Sequence, residues 1–184
     1  MDWQGHNYGH MHRWRSSFLD ADRILKSLNP GPEDIVIDLG SGDGIFSLKL
    51  AAMVRDVYAI DVNESGHMAV EQAAAKEGYK NVHPVLADVC KGIPVSGFNS
   101  VLMVTSFHDF QCRDDLLEEI RKKSSGNLKI AIVEFKKDDA SPGPPVRIRI
   151  SREELDRIFS NHGLKSVYYD EMGPLYINRY ELFK

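Results

Sequence analysis

Residues 35–51, IVIDLGSGDGIFSLKLA, place an acid, Asp38, ahead of three alternating glycines, Gly40, Gly42 and Gly44. Glycine tolerates positive φ and lets the backbone approach a ligand closely, so the stretch suits a nucleotide-like molecule. Two common nucleotide loops do not fit. The dinucleotide pattern G-x-G-x-x-G needs Gly or Ala at position 45, which is Ile45. A P-loop needs Lys followed by Ser or Thr after the glycines, and none stands there. A carboxylate two residues before the first glycine suits an ammonium group better than a pyrophosphate. The ligand expected is cationic at one end and a nucleoside at the other. Two more acids, Asp61 in DVYAID and Asp88 in NVHPVLAD, close later apolar runs.

For three such acids to share one ligand, the strands that carry them must end at one edge of a sheet. The periodicity provides for this. A helix is expected over Trp14 to Leu28, with Phe18, Ala21, Ile24, Leu25 and Leu28 on one face, ended by NPGPED. Strands follow at 35–39, 56–61 and 81–88, with helices from about 44 to 53 and over 64–79 between them. NSVLMVTSF reads as a strand buried on both faces, RDDLLEEIRKKSSG as a helix with a glycine stop, and LKIAIVEFKK as another central strand. SREELDRIFSNHG opens with a capping box, Ser151 with Glu154, and ends on Gly163. Two terminal strands, LKSVYYDE and LYINRYELFK, complete the chain. Alternation of this kind requires right-handed crossovers and a mainly parallel, doubly wound α/β sheet. No repeat or linker interrupts it, so one domain over 1–184 is expected, with 1–28 as an N-terminal arm and helix.

S-adenosylmethionine meets both demands on the ligand. On the motifs VIDLGSGDG, VYAIDV and VLADV, the chain resembles the class I S-adenosylmethionine-dependent methyltransferases, in particular the small type 11 (ubiquinone/menaquinone-biosynthesis-like) group. The resemblance runs from about Asp34 to the end. It implies a seven-stranded Rossmann-like sheet of order 3-2-1-4-5-7-6 with the last strand antiparallel. It implies that the loop of Asp38, Gly40, Ser41, Gly42 and Gly44 holds the methionine part, and that Asp61, followed by Val62, accepts bonds from the ribose hydroxyls. Asp88 would face the adenine amine, Ala87 or Val89 its ring, and Thr105 would line the pocket at the end of the fourth strand. S-adenosylhomocysteine would be the product. Taken singly, the same residues have plain structural uses: a tight turn at the glycines, a helix cap at Asp61, a turn at Asp88.

Methyl transfer is an in-line displacement, so alignment and exclusion of water dominate. A base is needed only where the nucleophile must lose a proton. The loop after the fourth strand, TSFHDF, offers His108 beside Asp109 as a base with an orienting partner. A structural alternative has Asp109 capping the helix near Arg113 and His108 packing on the cofactor. The Asn/Asp-Pro-Pro-Tyr loop of enzymes that methylate exocyclic amines in DNA is absent here. Between Lys136 and Ser151 the segment KKDDASPGPPVRIRIS joins the fifth strand to a helix on the ligand side; its Arg147 and Arg149 would share a face if extended and receive an anionic acceptor, or be merely exposed. The N-terminal GHNYGHMHRWR, with His6, His10 and His12, reads as a lid over the pocket, a metal site lacking a completing acid or cysteine, or a disordered end.

Net charge is -4, which disfavours a nucleic-acid partner and leaves a small-molecule acceptor. No run approaches the roughly 20 apolar residues of a membrane span, and the N-terminus lacks a signal-peptide core, so a cytoplasmic protein is expected. Cys90 and Cys112 have no C-x-x-C spacing and read as packed thiols; no metal site is expected. A homodimer is compatible with the chain. The function expected is methyl transfer to a small molecule, and the alternative is a non-catalytic S-adenosylmethionine-binding module.

Overall fold

The computed structural model describes residues 19–183. His6, His10 and His12, and the start of the expected first helix, lie outside them. Elements run in the order α1 (Ala21–Leu28), β1 (Ile35–Leu39), α2 (Ile45–Ala51), β2 (Asp56–Asp61), α3 (Glu64–Glu77), β3 (Val82–Leu86), β4 (Ser100–Val104), α4 (Arg113–Lys123), β5 (Leu128–Phe135), α5 (Arg152–Asn161), β6 (Lys165–Met172) and β7 (Leu175–Leu182). Short 3-10 turns stand at Val89–Lys91, Phe107–Asp109 and Val146–Ile148.

The strands form one sheet of order β3-β2-β1-β4-β5-β7-β6. The first five are parallel, and β7 runs antiparallel to both β5 and β6. Parallel strands covered on both faces should be continuously apolar, and β4 is buried at every residue. One layer of the core joins Ile37, Ile60, Met103 and Ile132 to Leu117 and Phe159 of the helices. The other joins Val36, Leu102 and Val133 to Ile24 and Leu28 of α1. The expected capping box is formed: Ser151 and Glu154 exchange side-chain to backbone bonds at the start of α5.

At the amino edge, opposite the glycine loop, Asp34 ties three strands together. Its carboxylate accepts from Lys129 Nζ at 2.6 Å and from Asn99 Nδ2 at 2.7 Å. Burial alone would raise this carboxyl, but the Lys129, Gly31 and Asn99 bonds hold it below the ordinary carboxylate range. The carboxyl edge is thereby left to loops.

Cys90 and Cys112 correct the expectation of packed thiols. They form a disulfide, with Cα atoms 5.5 Å apart. Their separation of 22 residues carries no pairing signal in sequence; the fold brings the turn after β3 against the residue before α4. Closing a loop of this length restricts the unfolded chain, so reduction should lower stability by about 2 kcal/mol. Urea unfolding with and without reductant checks this, and coincident midpoints would show that the bond is not formed in solution.

Candidate active site

In a parallel sheet, loops at the carboxyl ends of the strands carry the ligand site. Five strand ends meet here in the spatial order β3, β2, β1, β4, β5. After β1 the chain enters the glycine loop, whose Gly40, Gly42 and Gly44 all have positive φ, at 77, 57 and 80°. The three glycines differ in what surrounds them. A Cβ on Gly40 would lie 2.5 Å from Ser106 Cβ, and one on Gly44 would lie 2.5 Å from Val70 Cγ2. A Cβ on Gly42 would meet nothing within 4 Å, so the loop presents open space there. The loop is pinned from β2: Gly40 N and Ser41 N both donate to Ile60 O, and Gly42 N donates to Asp61 Oδ2 at 2.8 Å.

Asp61 also accepts from Asn63 N at 2.9 Å, so its carboxylate organises both its own turn and the glycine loop. Val62 beside it is 68% exposed and leaves an apolar surface just past the strand end. Ala87 N donates to Asp61 O. Asp88 caps the turn that follows, accepting from Cys90 N at 3.0 Å, while Val89 is buried in the core. The turn role foreseen for Asp88 is thus real, and its carboxylate still stands at the edge, 40% exposed.

Asp38 lies under the loop, 2% exposed, and Ser47 Oγ donates to it at 2.6 Å. Burial, with the nearby Asp61 charge, pushes its carboxyl up to about 7, against the pull of the Ser47 bond. An opposite charge arriving from the ligand would relieve that penalty.

A glycine on α3 was not singled out by sequence. A Cβ on Gly66 would stand 2.5 Å from Gly42 O, so the helix and the glycine loop touch backbone to backbone. Gly is about 1 kcal/mol worse than Ala inside a helix, which makes the close approach its use here. Gly66→Ala should push on the loop and weaken cofactor binding about tenfold, or roughly 1.4 kcal/mol, with little loss in thermal stability. Calorimetry beside a melting curve separates the two effects.

After β4, Thr105 is buried with φ +52°, a left-handed conformation uncommon outside glycine. Ser106 Oγ then donates to Leu39 O at 2.7 Å, tying this loop to the end of β1. His108 is buried, and a second carboxylate, Glu134, lies nearer to its ring than Asp109 does. Glu134, at the end of β5 and 0% exposed, accepts from His108 N at 3.0 Å and contacts Nδ1 at 2.7 Å. Asp109 Oδ1 is 3.6 Å from Nε2, and its side chain is 60% exposed. Asp109 is not a helix cap: α4 follows Cys112, which makes no side-chain cap bond.

The paired arginines also depart from expectation. Residues 146–148 form a 3-10 turn rather than extended chain, so Arg147 and Arg149 do not share a face. Arg149 is 5% exposed, and its guanidinium donates to the carbonyls of Lys136, Asp138, Ser141 and Pro144. It holds the proline-rich loop together and is not available to an acceptor. Among the described residues, no group of three or more His, Cys, Asp or Glu could hold a metal ion, and no helix is long and apolar enough to cross a membrane.

Sheet order, antiparallel last strand and glycine loop define a class I S-adenosylmethionine-dependent methyltransferase. Residues 36–125 match the family model described as a methyltransferase domain. The fold superposes on a SAM dependent methyltransferase from Aquifex aeolicus with a TM-score of 0.82 and 25% identity, covering 91% of this chain and 92% of that one. The chain is 36% identical over 66 residues to the 23S rRNA (uracil(1939)-C(5))-methyltransferase RlmD of Marinomonas sp., covering 36% of this chain and 15% of that protein. It is 34% identical over 79 residues to a protein of Methanococcus maripaludis named as a cobalt-precorrin-6B C(15)-methyltransferase (decarboxylating), covering 43% of this chain and 44% of that protein. The chain thus spans less than half the length of these two curated relatives. S-adenosylmethionine is the cofactor of the class, and the open cradle at Gly42 beside the Asp61 carboxylate fits it.

Proposed function

We propose that this protein transfers the methyl group of S-adenosylmethionine to a small-molecule acceptor. The observation that carries the proposal is the meeting, at one sheet edge, of the Asp61-pinned glycine loop and the His108–Glu134 pair, joined through Ser106 on Leu39. Bound there, the cofactor supplies an electrophilic methyl group on a sulfonium.

The residues of the chain have distinct tasks. Asp61 accepts from the ribose hydroxyls, Asp88 from the adenine amine, and Val62, Ala87 and Val89 border the base. Gly40, Ser41, Gly42 and Gly44 admit the methionine part, and Asp38 places negative charge beneath its ammonium. Thr105 turns the chain out of the sheet along the cofactor, and His108 takes the acceptor's proton where there is one to lose. Asp109, more exposed, passes that proton towards water.

Ribosomal RNA and cobalt-precorrin both occur in the names of the relatives, and the net charge of -4 favours the small molecule. Incubation with methyl-labelled cofactor and three acceptor sets tests the choice: small molecules, ribosomal RNA fragments and peptides. Label in a small molecule is expected. Label only in RNA or peptide contradicts the acceptor class, and tight binding with no transfer to any set supports a binding module instead.

A further inference from the structure

We propose that the Cys90–Cys112 disulfide is a redox-controlled site: its reduction by a dithiol loosens two loops that border the cofactor and lowers affinity for S-adenosylmethionine. This rests on the methyltransferase reading above and adds a means of regulating that same site.

The two sulfurs are carried by loops of the candidate site. Cys90 N donates to Asp88 Oδ1 at 3.0 Å, so Cys90 belongs to the turn that fixes the Asp88 carboxylate. Cys112 is the residue before α4 and ends the loop that leaves β4. That loop lies on the glycine loop at two points. Ser106 Oγ donates to Leu39 O at 2.7 Å, and Phe110 Cζ comes 3.9 Å from where a Cβ on Gly40 would stand. Arg113, next to Cys112, donates to the carbonyls of Phe107 and His108. The disulfide therefore joins loops from β3 and β4, strands that β2 and β1 keep apart in the sheet. Asp38 and Asp61 stand on those two middle strands.

The bond is open to attack from solvent. Cys90 is exposed, whereas Cys112 is half-buried against the core. Exposed disulfides are the labile and regulatory kind. A thiolate of the dithiol bonds to Cys90 Sγ, the Cys90–Cys112 bond breaks, and the electron pair leaves with Cys112 Sγ, which takes a proton from water. The second thiol of the reductant then displaces Cys90 in the same way. The dithiol is oxidised to its own disulfide and the protein gains two thiols. A disulfide of the glutathione type reverses the exchange.

The consequence for binding is one of ordering. With the bond closed, the Asp88 turn and residues 106–112 are held in place before the ligand arrives. With it open, both must be ordered on binding, and that cost is subtracted from affinity. The rest of the connection stays anchored, because Ile93 N donates to Glu119 Oε2 at 2.7 Å and Ile93 O accepts from Lys123 Nζ, both farther along α4. Reduction thus loosens the site locally and leaves the sheet intact.

The test uses the full chain as oxidised protein, after reduction with dithiothreitol, after reoxidation with glutathione disulfide, and as the variant Cys90→Ser/Cys112→Ser. Alkylation of the folded protein followed by mass spectrometry counts the thiols. Calorimetry well below the melting transition gives Kd for S-adenosylhomocysteine, and hydrogen exchange of the ligand-free protein reports on the loops. Reduction should raise Kd about tenfold, and reoxidation should restore it. The double variant should bind like the reduced form and ignore dithiothreitol. Amides of residues 88–92 and 106–112 should exchange faster after reduction, while those of the sheet stay protected. A bond that serves stability alone would lower the melting temperature and leave Kd where it was. A Kd unmoved by reduction, a double variant that binds as tightly as the oxidised protein, or a bond that dithiothreitol leaves intact in the folded chain overturns the switch. Unchanged exchange in both loops overturns the link between bond and site. In each of these cases the oxidised protein still binds S-adenosylhomocysteine; if no form binds it, the methyltransferase reading falls, and the switch with it.

Discussion

Asp61→Ala should weaken binding of S-adenosylhomocysteine by about 3 kcal/mol, roughly 150-fold. Hydrogen bonds to a carboxylate are the stronger kind, and two to the ribose would be lost at once. The structure adds a second cost, because Gly42 N and Asn63 N also donate to this carboxylate. Without it the glycine loop loses an anchor and two N–H groups lose their acceptor. Asp61→Asn keeps the size and one acceptor oxygen, so its loss should be smaller. Calorimetric titration of the three proteins with S-adenosylhomocysteine measures the series. An Asp61→Ala variant that binds as well as the parent would place the nucleoside elsewhere.

The second large effect is on pH. Burial raises the Asp38 carboxyl to about 7 in the ligand-free protein, whereas the ammonium proposed to sit above it requires the carboxylate. Affinity for S-adenosylmethionine should therefore climb as pH rises through about 7 and level off above it. Below that point each pH unit costs about tenfold, so binding at pH 5 should be about 100-fold weaker than on the plateau above pH 8. The ligand-free protein behaves in the opposite sense. The folded state binds this proton more tightly than the unfolded chain, with its ordinary value of 3.8. The stability due to Asp38 is thus present below about 4 and is lost as pH rises through about 7. Asp38→Asn should flatten both profiles. Titrations at several pH values, in buffers of different ionisation heat, would detect the released proton; an affinity independent of pH between 5 and 8 would take Asp38 out of the ammonium site.

Much of this was legible before any coordinates. A mainly parallel sheet with a ligand loop at its carboxyl edge followed from alternation and from three acids ending three apolar runs, because a buried parallel strand writes an apolar pattern and its carboxyl end breaks it; the strand order came from the resemblance to the class I methyltransferases. The same rule applied to LKIAIVEFKK would have found Glu134, an acid in the midst of apolar residues. Adjacency in sequence points to Asp109, which does lie 3.6 Å from His108 Nε2, whereas Glu134, 26 residues away, makes the closer contact of 2.7 Å at Nδ1. Gly66 lay hidden because glycine in a helix has no sequence mark until a second backbone is seen against it. The Cys90–Cys112 bond depends on two loops meeting after long separate excursions. Arg149 looked like an acceptor residue because alternation was read as strand, where the prolines before it instead turn the chain and leave its guanidinium to collect carbonyls.

The most direct test of the central claim is calorimetric titration of the purified protein with S-adenosylmethionine, S-adenosylhomocysteine and NAD at pH 8, where Asp38 is ionised. Saturable binding of the two sulfur nucleosides, with no heat from NAD, is the predicted result. Binding of NAD in their place, or of none of the three, would contradict the account.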